Sequence, residues 1–521
     1  MDRLAFEPQA WSLHSAINQT AASYPARTNV KDLFEDCVRR DPDTHAVVGA
    51  DRILTYRELN QLANGLAADL RAVGVQRGDM VGVCVDRSPE LIIALVSVLK
   101  CGGTYVPLDA SWPDERLRRI LAEAGCRLLL TEVPDQLAAR FPGCRTLSVI
   151  GSGRTAGHPN PVTPIGPDAV AYINFTSGST GRPKGVPIQH RAITRLVFNA
   201  RYARLDEQTV LLHMAPISFD AATFEIWGAL LQGGTCVLYP AKLVRISKLR
   251  RVLNTHAVTV IFLTTALFNL VVDEAPEILD NVETILTGGE AHSLKHIDQA
   301  LRRYGPDRLV SVYGPTECTT FATYYPVREL VADLSALPIG LPIQNTRLYL
   351  VDGGRLCGPR EVGEICLAGP GLSLGYLGMA DVTREQFIEC EIDGVWERLY
   401  RTGDRGYLLE DGNVVFQGRL DDQVKVNGHR VELGEIAHHL DQHPNVRQNY
   451  VTVTQNTMGE RSLLAFVVSQ GDQGRPESVR DYLKARLPRY MVPAKIVRCD
   501  SLPLSTTGKV DRQALLSGHG S

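Results

Sequence analysis

Short apolar runs alternate with stretches in which apolar residues recur every three to four positions. Ala46–Val48 and Ile53–Thr55 flank a Gly-Ala-Asp turn and predict a hairpin. Tyr56–Ala72 has helical spacing and stops before Gly74. Val81–Val85 and Tyr105–Leu108 predict strands around a helix that Ser88-Pro89-Glu90 opens and Gly102-Gly103 closes. Apolar runs at Val210–Met214, Thr235–Tyr239, Val258–Leu263, Thr284–Leu286 and Leu309–Val312 continue the alternation, which predicts parallel sheets wrapped by helices. The first thirty residues read as polar and turn-rich, with regular structure expected from about Val30.

Beyond about Ile339 short strands follow one another through Gly and Pro turns, as at Arg347–Val351, Val362–Ala368 and Asn413–Gln417, and predict a small β-rich subdomain. After the polar Gly418–Gln423 connection come strands at Val424–Val426, Arg430–Leu433, Tyr450–Thr454 and Leu463–Val468, with helices at Glu435–Leu440 and Ser478–Leu487. The expected fold is therefore α/β. A large N-terminal domain of helix-flanked sheets (residues 1–420), with its β-rich subdomain, is hinged to a small α+β domain (421–521). Gly151–Pro164, rich in Gly, Pro and Thr, reads as an exposed loop.

Composition agrees with more than one domain, because 521 residues exceed the roughly 250–300 that one core serves. A net charge of -3 gives no electrostatic reason for a nucleic-acid partner. The apolar run Leu91–Leu99 is far shorter than the about 20 residues of a membrane span, and the N-terminus has no signal-peptide pattern. Eleven scattered cysteines predict reduced thiols, hence a cytoplasmic enzyme. His439 and His443 have no third zinc ligand in view and are expected at the surface.

The chemistry centres on Phe175-Thr176-Ser177-Gly178-Ser179-Thr180-Gly181-Arg182-Pro183-Lys184-Gly185, which follows an apolar strand. Small residues let the backbone approach a ligand. Amides and the hydroxyls of Thr176, Ser177, Ser179 and Thr180 can donate to phosphate oxygens, and Lys184 adds positive charge. The spacing is not that of a Walker loop.

This string matches the signature of the adenylate-forming superfamily, and the chain resembles amino-acid adenylation domains of nonribosomal peptide synthetases over nearly its full length. Leu54–Leu59 and Leu99–Asp109 resemble the first two core motifs and the phosphate loop the third. Phe219-Asp220-Ala221 with Glu225 resembles the fourth, Tyr313-Gly314-Pro315-Thr316-Glu317 the fifth, and Gly363–Tyr376 the sixth. Tyr400–Asp404, Gly418–Glu435, Leu487–Pro493 and Pro503–Arg512 resemble the remaining four.

The resemblance implies that an amino-acid carboxylate attacks the α-phosphorus of ATP and expels pyrophosphate, so the site must cancel charge. It implies that Glu317 helps hold Mg²⁺, that Lys509 bridges the substrate carboxylate and ATP, and that Asp404 takes the ribose hydroxyls with Arg419 close by. Thr176 and Lys184 join Lys509 and Glu317 in catalysis. Gly181, Gly289, Glu290, Ala291, Ser311, Tyr313, Gly314 and Thr316 complete the ATP site. Ser311, Thr507 and Asn427 stand where the family often has Asn, Asn and Arg.

Asp220 aligns with the position that pairs with a substrate α-ammonium group. Ala221, Phe224, Phe262, Leu286, Gly288, Val312, Thr320 and Phe321 align with the pocket lining, and none is charged. They imply a small aliphatic side chain of the valine, isoleucine or 2-aminobutyrate type. Asp421 matches the hinge, and Lys425 the residue presented in the second half-reaction, when a carrier-protein thiol takes the aminoacyl group. No phosphopantetheine attachment string is found. Together with the starting Met and the complete tenth motif, this favours a stand-alone enzyme charging a peptidyl carrier protein in trans over an excised domain. The resemblance also allows for a small accessory, MbtH-like, protein. Two other readings are weighed. An acyl- or aryl-CoA ligase should lack the acid at Asp220, and an inactive binding protein with this fold should lack Lys509, Glu317 or Asp404.

Overall fold

The computed structural model describes residues 3–151, 157–178, 181–330, 334–421, 423–426, 428–455, 461–470, 474–503 and 510–519. They fall into two compact units. One comprises the residues up to Ala110 with Leu121–Asn174 and Gly185–Leu420, and the other Ser111–Ile120, Phe175–Lys184 and the residues from Asp421 on.

The larger unit carries the expected helix-flanked sheets. In a nine-stranded sheet, His45–Val48, Thr235–Leu238, Val210–His213, Val260–Thr264, Thr284–Gly288 and Leu309–Tyr313 run parallel, side by side in that order. Antiparallel strands Ile53–Thr55 and Thr323–Pro326 flank this parallel core. A six-stranded sheet is built on Arg145–Ser148, Leu128–Thr131, Met80–Cys84, Thr104–Pro107, Val170–Thr176 and Lys184–Gln189. Helices start where the sequence signals them. Thr55 and Glu58 form a reciprocal capping box at Tyr56–Ala72, and Ser88 caps Pro89–Lys100. In Pro89–Lys100 every residue except Glu90 is buried, which explains its unbroken apolar run. One apolar cluster draws on both sheets and on the helices Tyr56–Ala72, Pro89–Lys100, His190–Val197 and Ala221–Leu230.

The β-rich subdomain is antiparallel. Arg347–Asp352 pairs with Gly363–Ala368, which pairs with Val395–Leu408, and Val414–Arg419 adds to the latter. The first thirty residues are not merely turns. Pro8–Ile17 is a helix, and Leu4 and Ala10 pack with Tyr349, Leu356, Cys366 and Ala368. Asn18 exchanges two hydrogen bonds with the Leu348 backbone, and the Thr20 hydroxyl donates to the Thr346 carbonyl at 2.6 Å.

In the smaller unit, Val446–Gln455, Arg461–Ser469 and Lys495–Cys499 form a three-stranded sheet against the helices Leu433–Asp441 and Pro476–Lys484. His439 and His443 depart from expectation, since both are buried. His439 lies on the apolar face with Ile436 and Leu440, and His443 meets the Tyr482 ring edge-on. Among the described residues no cluster of His, Cys, Asp and Glu could hold a metal ion, and no helix is long and apolar enough to cross a membrane.

Candidate functional site

Parallel strands expose the ends of their carboxyl-terminal edge to ligands. In the larger unit the residues that the resemblance aligns with the substrate pocket gather near that edge. Register pairs Phe262 with Leu286, Leu286 with Val310, and Gly288 with Val312. Because strand side chains alternate, these residues share one face. Gly288 has its glycine for a reason, as a Cβ there would overlap the Val312 carbonyl. The same face meets Ala221–Leu230, whose Phe224 ring lies 5.2 Å from that of Phe321, while the Phe262 ring lies 5.7 Å from Phe321. Ala221, Phe224, Phe262, Leu286, Gly288, Val312, Thr320 and Phe321 are all buried. Tyr202, not singled out in the sequence, backs this wall with its ring against both Phe224 and Phe321.

Asp220 stands at the N-terminus of Ala221–Leu230, where the helix dipole favours an anion, yet its side chain caps no backbone amide. Instead the Thr316 hydroxyl donates to Asp220 Oδ2 at 2.6 Å, and the Thr320 hydroxyl donates to the Asp220 carbonyl at 2.9 Å. The approach to Asp220 is set by Glu225. Its buried Oε2 accepts from the Met214 and Ala215 amides at 3.0 and 2.9 Å and bonds His213 Nδ1 at 2.8 Å. Burial pushes the His213 imidazole below its ordinary range.

A second carboxylate lies at the junction with the β-rich subdomain. The Tyr313 hydroxyl donates to Asp404 Oδ2 at 2.5 Å, and the Arg419 guanidinium pairs with Oδ1. Asp404 and Arg419 face each other across paired strands. Burial, followed by the Asp404 charge, raises the Tyr313 hydroxyl well above its usual range, so it stays a donor. Glu317 is fully buried, and its Oε1 accepts from the Tyr376 hydroxyl at 2.7 Å. Gly289 and Glu290 are half-buried, Ala291 is exposed, and Gly314 and Thr316 are half-buried. Ser311 is buried beside Thr287 on the sheet face opposite Val312.

The phosphate-type loop falls within the smaller unit, not with the rest of residues 1–420. The Gly178 amide donates to Glu435 Oε2 at 3.1 Å, Arg116 pairs with Glu435 Oε1 at 2.7 Å, and the Ser177 hydroxyl donates to the Arg430 carbonyl at 2.9 Å. Thr176 ends one strand, Lys184 begins the next, and Gly181 has φ of 75°. Lys425 pairs with Arg430 in a two-stranded ribbon, and Asp421 Oδ1 accepts from the Gln423 amide. Ser179, Thr180, Asn427, Thr507 and Lys509 lie outside the described residues.

Comparison with known proteins follows the same layout. Residues 34–377 match the family model described as AMP-binding enzyme, and 435–509 the one described as AMP-binding enzyme C-terminal domain. The chain is 39% identical over 505 residues to bacitracin synthase 1 of Bacillus licheniformis, covering 96% of this chain and 10% of the relative. It is 36% identical to surfactin synthase subunit 1 of Bacillus subtilis (strain 168), covering 98% of this chain and 14% of the relative. The chain thus spans only a small part of the length of these synthetases. A solved structure of PA1221, a nonribosomal peptide synthetase protein containing adenylation and PCP domains, superposes with a TM-score of 0.85 at 33% identity over 98% of this chain and 99% of that one.

Proposed function

The chain belongs to the AMP-binding enzyme family as an adenylation domain of the adenylate-forming superfamily, and from that premise we propose that it activates a small aliphatic α-amino acid with ATP. The product is the aminoacyl-AMP, with pyrophosphate released, and the aminoacyl group then passes to the phosphopantetheine thiol of a separate carrier protein. The observation that carries the substrate class is Asp220. Its carboxylate sits at a helix N-terminus without a capping bond, held by Thr316, next to a wall of buried apolar side chains. An ammonium group is the substrate group whose charge complements such an anion. The uncharged wall offers an apolar side chain nothing but packing. Valine, isoleucine and 2-aminobutyrate differ by a methylene or so, worth about 1–3 kcal/mol in such a pocket.

On this reading Asp404, with Tyr313 and Arg419, receives the ribose hydroxyls, and Gly289, Glu290, Ala291, Ser311 and Gly314 border the nucleotide. Thr176, Ser177, Gly178, Ser179, Thr180, Gly181 and Lys184 take the phosphates. Mg²⁺ is held through one or two carboxylates plus substrate phosphates, and the hard oxygen donor of Glu317, oriented by Tyr376, fits that requirement. The ion would neutralise phosphate charge. Residues 421–521 serve both half-reactions, with Asp421 as the hinge, Lys509 in the first and Lys425 in the second. All eleven cysteines are free thiols, which supports a cytoplasmic setting.

Amino-acid-dependent exchange of labelled pyrophosphate into ATP tests the reading. Exchange with valine, isoleucine or 2-aminobutyrate, and little with charged or aromatic amino acids, is expected. No exchange with any aliphatic amino acid would overturn it.

A further inference from the structure

The helix His190–Val197 carries a guanidinium into the apolar interior. Arg195 is fully buried, and among the described residues no carboxylate forms an ion pair with it. Its partners are backbone carbonyls instead. Nη1 donates to the Phe321 carbonyl at 2.9 Å, and Nη2 lies 3.4 Å from the Cys318 carbonyl and 3.3 Å from Cys318 Sγ. Gly371 leaves the space, since a Cβ there would overlap the guanidinium. From behind, the Gln344 amide nitrogen donates to the Arg195 and Leu196 carbonyls at 3.0 Å each, which fixes the end of the helix.

Burying an arginine without a carboxylate is costly, so what it holds is informative. Both carbonyls belong to the turn that follows the strand Leu309–Tyr313. Within it Thr319 and Thr320 have φ of 54° and 69°, a left-handed backbone that β-branched residues avoid. Such a conformation persists only where its surroundings impose it. The Thr319 hydroxyl donates to the Gly371 carbonyl at 2.7 Å, and Arg195 grips the turn on either side of the two threonines. The same turn delivers the Thr316 and Thr320 hydroxyls to Asp220 and the Phe321 ring to the pocket wall.

We propose that Arg195 is a positioning residue for amino-acid recognition: by clamping the Cys318 and Phe321 carbonyls it holds the strained 316–321 turn in the one shape that aims the Asp220 carboxylate and seats Phe321. Arg195 touches no reacting atom, and its influence runs through the turn. The inference rests on the reading of Asp220 as the ammonium partner. It predicts a larger effect on the amino-acid side of the site than on the nucleotide side, because the Asp404, Tyr313 and Arg419 cluster shares none of these hydrogen bonds and, of the turn, only Thr316 and Glu317 belong to the nucleotide side of that reading.

The test uses the full chain with Arg195→Lys, which keeps the charge but loses the forked donor, and Arg195→Met, which fills the space without a buried charge. In folded variants KM for the aliphatic amino acid should rise about tenfold or more and KM for ATP by clearly less, as expected for lost hydrogen bonds from a charged donor. Lysine should restore part of what methionine loses. Amide hydrogen exchange supplies a readout independent of activity. Phe321 and Ala322 should exchange faster in both variants than in the parent chain. Equal rises in the two KM values, or unchanged exchange at these amides, would overturn the clamp. If the parent chain itself shows no amino-acid-dependent activity, the functional reading falls, and amide exchange alone decides for or against the clamp.

Discussion

Tyr313 and Asp404 lie 91 residues apart and share a buried 2.5 Å hydrogen bond that joins the end of a parallel strand to the antiparallel subdomain. The Asp404 carboxylate thereby keeps one oxygen on Tyr313 and the other on Arg419. Charge-assisted bonds of this kind orient an acceptor strongly. Asp404→Asn should raise KM for ATP by about tenfold to a hundredfold, matching the roughly 1.5–3 kcal/mol of bonds to a charged group, and Tyr313→Phe should raise it by less. KM for the amino acid should move little. Pyrophosphate exchange with each substrate varied in turn distinguishes the two.

Asp220→Ala should act on the other substrate. Without the carboxylate, activity with the amino acid should fall at least about a hundredfold, the loss expected when a charged partner is removed from a desolvated site. The amino acid should lose its advantage over its deaminated carboxylic-acid analogue. Competition between the two in the parent chain and the variant is the direct measurement. A variant as selective for the amino group as the parent would exclude this role.

Gly288→Ala is the sharpest test of the pocket's backbone. The new methyl would meet the Val312 carbonyl of the neighbouring strand, and a backbone atom cannot swing aside. A destabilisation of about 1–3 kcal/mol is expected, as for overpacking in a core. Denaturant unfolding would record it, together with weakened amino-acid binding.

Acid should loosen the fold through His190. Its ring is buried, with Nδ1 accepting from the Val30 amide at 3.3 Å, and burial lowers its pKa from 6.5 to about 4. Between those values the unfolded chain binds a proton that the folded chain does not, so stability falls as pH drops through this window. The slope is at most about 1.4 kcal/mol per pH unit from this group. His190→Gln can still accept from the amide and should flatten the fall in melting temperature between pH 6.5 and 4.5. Parallel slopes in the two chains would rule His190 out.

Periodicity and capping made the central strands and helices legible, because burial on one or both faces writes itself into neighbouring residues. The apolar lining came from the family resemblance alone: Phe262, Leu286 and Val312 share one face of the sheet, but alternation by itself does not separate a pocket lining from core packing. What escaped notice depends on distant partners. Pro8–Ile17 buries only Ala10 and His14 of its ten residues, so its local pattern is weak, and its contacts arrive from residues 348–368. Arg195 could have been suspected as a lone charge between Ile193 and Leu196, both fully buried. Nothing nearby in sequence, however, announces the carbonyls it holds. The buried His439 was hidden similarly, in line with Ile436 and Leu440 on a helix whose other face is polar. The grouping of Ser177 and Gly178 with Arg430 and Glu435 spans some 250 residues and has no local signal.

The strap of residues 4–22 across the β-rich subdomain also has a temporal meaning. Asn18 and Leu348 are separated by 330 residues, and Thr20 and Thr346 by 326. A ribosome adding about 5–20 residues per second takes on the order of 15–70 s to cover that distance. For that interval the apolar side of Pro8–Ile17 emerges before the surface it will cover exists. Residues 4–22 are therefore made well before their partners and settle into these contacts late, and in that interval they are open to chaperones and proteases.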